Sequence, residues 1–100
     1  ALETFTKAKD EFNVILTKNP EVTYTVRMSS QNLDLLGKTY VILAEKRNRQ
    51  EFLQKGLENL QLALQGFKKL KAEGKLGEVD FKLIGQMEAE IEKVKAKIGM

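Results

Sequence analysis

Two groups of carboxylates and a run of lysines are the side chains of this sequence whose types and spacing could do chemistry. Asp10 and Glu11 are adjacent, and Glu88, Glu90 and Glu92 alternate along a later segment. Paired carboxylates can divide general acid and general base roles, and a desolvated lysine can form a Schiff base. Carboxylate metal centres in helical bundles, however, draw inward-facing Glu from several helices together with a Glu-x-x-His motif, and the sequence contains no histidine. It contains no cysteine either. Imidazole bases, thiolate nucleophiles, disulfides and the usual zinc, haem and iron–sulfur ligand sets are thereby removed, while the redox compartment stays open. Glu88 and Glu92 lie one helical turn apart beside Lys93, Lys95 and Lys97, the spacing of a solvated face. The chain therefore reads as a non-enzyme, with no metal and no cofactor.

The basic side chains point to docking. Lys68, Lys69, Lys71 and Lys75 form the densest cluster, and Arg27, Arg47 and Arg49 form a second set. These seven are the candidate partner-binding residues, suited to an acidic protein surface, a phosphate or an anionic membrane. The competing explanation is that lysines near a helix C-terminus favour the macrodipole and stay solvated. Nucleic acid fits less well, because the net charge is only +3 and no aromatic residues interleave the basic ones.

One hundred residues, 42% of them hydrophobic and 31% charged, make a single folded domain spanning 1–100. The elements that must position these charges follow from periodicity. Leu2, Phe5, Ala8, Phe12 and Ile15 mark a first helix that should stop near Lys18, ahead of Asn19-Pro20. Pro20 is expected to start the next element. A second helix from about Glu21 to Arg47 carries Val22, Val26, Ser29, Leu33, Leu36, Tyr40 and Leu43 on one stripe. Met28, Leu35 and Ile42 should widen its buried face. The polar stretch Arg47 to Gln50 separates it from a third helix with Leu53, Leu57, Leu60, Leu64, Phe67 and Leu70 on one face. Gly74 and Gly77 bracket a turn, and a last helix should run from near Asp80, as N-cap, to Lys97, burying Ile84, Met87, Ile91, Val94 and Ile98.

Connections this short predict an all-α, antiparallel up-down-up-down four-helix bundle, with the excess positive charge on its middle two helices. The phenylalanines Phe5, Phe12, Phe52, Phe67 and Phe81 read as core rather than as a ligand pocket. Gly37, Gly56, Gly66 and Gly85 fall inside helices, where each costs up to about 1 kcal/mol relative to alanine, which suggests close helix approach or a partner near the backbone. No apolar run is long enough to span a bilayer. The chain opens on Ala1 without a charged n-region or h-region, which is compatible with a processed N-terminus and equally with a trimmed chain.

Two families are similar in part. Leu36, Gly37 and Tyr40 resemble the Leu-Gly-x-x-Tyr element of a tetratricopeptide repeat, which implies a protein–protein interaction adaptor with an exposed groove, in the cytoplasm. More of the chain resembles the PsbQ-type extrinsic proteins of photosystem II, including their diatom and red-algal relatives. The resemblance rests on a first helix closing before Asn19-Pro20 and on the triplet Val26-Arg27-Met28 followed by Leu33, Leu36 and Tyr40-Val41-Ile42. Leu57-Glu58-Asn59-Leu60 and the ending Ile91-Glu92-Lys93-Val94-Lys95-Ala96-Lys97-Ile98-Gly99 complete it. It implies a four-helix bundle peripheral to the membrane in the chloroplast thylakoid lumen. Such a subunit is non-catalytic and monomeric before docking, does not insert in the membrane, and binds acidic surfaces of lumenal photosystem II subunits. It helps retain calcium and chloride without ligating metal. That reading expects a convex charged surface and no groove.

Overall fold

The structure, a computed structural model, describes residues 2–19, 23–47, 49–75 and 77–99. The described residues form four α-helices joined by short connections: α1 (Leu2–Lys18), α2 (Thr23–Arg47), α3 (Gln50–Ala72) and α4 (Glu78–Ile98). The expected roles of Pro20, Glu21 and Val22 lie outside the described residues. The helix starting near Asp80 in fact starts at Glu78, with Gly77 as its N-cap at φ −75°. Asp80 is instead buried in the first turn of α4. Gly74, at φ 69°, is the left-handed residue that ends α3, and its N–H donates to the Lys71 carbonyl.

The helices form an antiparallel four-helix bundle built around α2 and α3. These two pack closely because glycines meet at their seam. A Cβ placed on Gly37 would stand 2.7 Å from Leu60 Cγ, and one on Gly66 only 1.8 Å from Ser30 Oγ. Ser30 opposite Gly66 and Gly37 opposite Gly56 fix the antiparallel register. Gly85, by contrast, faces open space, so close approach explains three of the four helical glycines.

The outer helices flank opposite sides of this hairpin. On α3, the residues facing α1 (Asn59, Gly66) and those facing α4 (Gln61, Lys68) lie on different sides of the helix. The Cα extents of 39 × 27 × 19 Å agree, since a square bundle would have two equal short axes. The core lies mainly where α4 closes on the hairpin. One cluster joins Val26, Leu33, Ala63, Phe67, Leu70, Ile84 and Met87, and a second joins Val41, Ala44, Leu53, Leu57, Leu60, Ile91 and Val94.

The expected stripes of α3 and α4 are buried, with Leu64 and Ile98 only partly covered. Two expectations fail. No residue of α1 is buried, and Ile15 is exposed: a cleft lined by Val26, Ser29, Ser30, Leu33 and Gly66 lies between α1 and the hairpin, and Leu16 packs only partly buried against the core. Leu35 and Ile42 do not widen the buried face of α2: they are 48% and 52% exposed, since α4 packs extensively on α3 and much less on α2. Of the phenylalanines only Phe67 is fully buried. Phe81 is exposed under Lys71, and Phe52 packs on Tyr40 at a centroid distance of 5.7 Å with the Arg49 guanidinium 4.8 Å away.

Candidate functional site

The antiparallel register decides where the basic residues fall. Lys68, Lys69, Lys71 and Lys75 occupy the last turns of α3 and the turn after it, all exposed. Arg27 belongs to this same end and not with the other arginines, because its guanidinium is ion-paired to Asp80 of α4 at 3.1 Å. Arg47 and Arg49 are exposed at the opposite end, about 30 Å along α2 from Arg27 at 1.5 Å per residue. The molecule thus carries two basic ends, as the charge distribution implies, with Arg27 transferred from the second set to the first. Lys46 and Lys97 add to the second end, and only the fold brings Lys97 there, through its ion pair with Glu45.

Several of these charges already have partners inside the chain. Lys68 lies 3.9 Å from Glu88, Lys75 lies 3.4 Å from Glu73, and Arg49 pairs with Glu51. Lys71 stands 5.4 Å from the Phe81 ring centroid, an exposed cation–π contact. Exposed pairs of this kind hold little energy, roughly 0 to 1 kcal/mol, so they yield readily to a partner's carboxylate. Arg27 differs, because Asp80 is only 11% exposed and Arg27 is the one cation that pairs with it among the described residues.

The carboxylates do not assemble. Asp10 and Glu11 are exposed on α1, while Glu88 and Glu92 each meet a lysine on the outside of the bundle. Among the described residues no group of three or more acidic, cysteine or histidine side chains could hold a metal ion. No described helix is long and apolar enough to cross a membrane.

A second feature was not legible in the sequence. Between α2 and α4 lies a half-open groove of about 440 Å³, with Leu35, Phe67, Leu83 and Met87 forming its apolar lining. Asp34 and Lys38 of α2 face Glu90 of α4 across it. Lys38 Nζ is 3.0 Å from Asp34 Oδ2, whereas Asp34 Oδ1 is enclosed and receives no hydrogen bond. A groove of this kind is what the adaptor reading expects and the convex extrinsic-subunit reading does not.

Comparison of the chain with protein-family models, with curated proteins and with solved structures finds no match. Fold and site together define an all-α four-helix bundle that bears two basic ends and an apolar groove.

Proposed function

We propose that the chain is a non-catalytic docking subunit that binds a larger assembly through its basic ends. The observation that carries this reading is the placement of Lys68, Lys69, Lys71 and Lys75 on one exposed end of the bundle, joined there by Arg27. Clustered exposed lysines steer association with an acidic surface and bind it by charge, without needing a deep interface. The specific partner in this proposal is the lumenal face of photosystem II, after the likeness to PsbQ-type subunits in Val26-Arg27-Met28 and in the closing helix. The test is co-sedimentation with photosystem II particles stripped of extrinsic subunits. Joint replacement of the four lysines by glutamate should abolish binding while the helical circular dichroism is unchanged. Retained binding of that variant would refute the assignment of this end.

One observation favours a second reading, a helical adaptor for peptides: the groove between α2 and α4. The tetratricopeptide-like residues take suitable places, with Leu36 buried and Gly37 at the closest approach of α2 and α3. The two helices, at 25 and 23 residues, are longer than a single 34-residue repeat allows.

A further inference from the structure

We infer that the groove between α2 and α4 is a docking site for one amphipathic helix of a partner protein, a helix that presents a basic side chain between two apolar ones. This site is separate from the basic ends and would stand whether or not those ends dock on photosystem II.

The apolar half of the argument is the row Met28, Leu35 and Ile42. These residues recur every seven positions along α2, the spacing that keeps side chains on one seam facing a neighbouring helix. Among the described residues no helix covers Leu35 or Ile42, which remain about half exposed, and Leu35 lines the groove beside the floor formed by Phe67, Leu83 and Met87. The seam is open because α4 packs extensively on α3 and much less on α2. It is also framed. Arg27 pairs with Asp80 at one end of the α2–α4 interface and Glu45 pairs with Lys97 at the other, so the two helices are tied about 27 Å apart along α2 with the groove between. An incoming helix of a few turns fits that length, with its apolar face laid into the groove.

Charge selects the occupant. In a chain of net charge +3, this groove is locally acidic, with Asp34 on one wall and Glu90 on the other. Its one base, Lys38, is held by a single oxygen of Asp34. The other oxygen of Asp34 is enclosed without a donor, and a buried acceptor in that state is costly. A lysine or arginine from a partner helix, reaching Asp34 as its side chain turns, supplies that donor and meets Glu90 as well. An acidic helix would meet repulsion from Glu90, with Asp34 already paired to Lys38 on the other wall.

The test is a selection from a displayed library of helical peptides against the full chain, followed by fluorescence anisotropy of the enriched peptides. Enrichment of basic amphipathic helices is expected, and Leu35→Glu should weaken their binding at least about tenfold, as loss of a central apolar anchor does. Asp34→Asn should weaken the basic peptides several-fold and narrow their advantage over lysine-to-glutamate versions of the same peptides. Circular dichroism and urea unfolding of both variants establish that the fold is retained. Failure to enrich any helix, enrichment of acidic or uncharged ones, or insensitivity to Leu35→Glu would overturn the inference. Sedimentation showing that the chain dimerises through Leu35 would overturn it too, since the groove would then be occupied by a second copy. The four-lysine variant, which leaves the groove intact, should bind the selected peptides as the original chain does, so a failure of the groove and a failure of the basic end are read separately.

Discussion

A methyl group on Gly56 would stand 3.0 Å from the carbonyl oxygen of Gly37, and one on Gly37 would stand 3.0 Å from the carbonyl oxygen of Gly56. The two glycines therefore mark the place where the α2 and α3 backbones come together, and a side chain on either must push a backbone or a packed core residue aside. Leu60, the neighbour at 2.7 Å, is fully buried and has no room to yield. Gly37→Ala and Gly56→Ala should each lower stability, the overpacking cost of about 1 to 3 kcal/mol outweighing the gain in helix propensity. Gly85→Ala, on an exposed face with nothing within 4 Å, should raise stability by about 0.5 to 1 kcal/mol. Urea unfolding of the three variants checks the sign. A stabilised Gly37→Ala protein would mean that α2 and α3 stand further apart.

The ion pair of Arg27 with Asp80 should matter more than the surface pairs. Removal of the Arg27 side chain leaves a largely buried carboxylate without its cation, so Arg27→Ala should cost about 1 to 3 kcal/mol. Lys95→Ala breaks an exposed pair with Glu92 one turn away and should cost no more than about 0.5 kcal/mol. Equal effects in chemical denaturation would show that Asp80 is solvated and that α4 is not anchored at this point.

Helix α1 should be the most labile element. It buries no residue, and a cleft of about 340 Å³ lies between it and Val26, Ser29, Ser30 and Gly66 of the hairpin. Among the described residues two side-chain hydrogen bonds tie it to the hairpin: Lys9 Nζ donates to Asn59 Oδ1 at 2.9 Å, and Asn32 Nδ2 donates to the Phe5 carbonyl at 3.0 Å. Amide hydrogen exchange should therefore be fastest in α1 and slowest around Leu57 to Phe67 of α3, where opening requires global unfolding. Protection in α1 equal to that in α3 would contradict this packing.

The legible parts of this fold are those carried by large apolar side chains at helical spacing. Leu53, Leu57, Leu60, Phe67 and Leu70 recur on one face of α3 and are buried there, as are Ile84, Met87, Ile91 and Val94 of α4. Burial of Ser30 and Asn59 was not legible, because polar residues read as surface until another backbone lies against them. Leu35 and Ile42 fail for the converse reason. Their apolar character is local, but their cover depends on where α4 sits. Charge behaves likewise: the lysine cluster is visible in chain order, whereas Arg27 joins it only through Asp80, and Lys97 reaches the Arg47 end only through Glu45. The groove was invisible in the sequence because its two walls are 56 residues apart, at Asp34 and Glu90, and meet only in the folded chain.

The central claim is that the bundle docks on a larger assembly by its charge, and oxygen evolution by photosystem II stripped of its extrinsic subunits tests it most directly. With the other extrinsic subunits supplied, addition of this chain at limiting calcium and chloride should restore activity with stoichiometric binding at low salt. Both should be lost near 1 M salt, where the screening length falls to about 3 Å. Absence of binding at low salt, or binding that neither restores oxygen evolution nor responds to salt, would contradict the account.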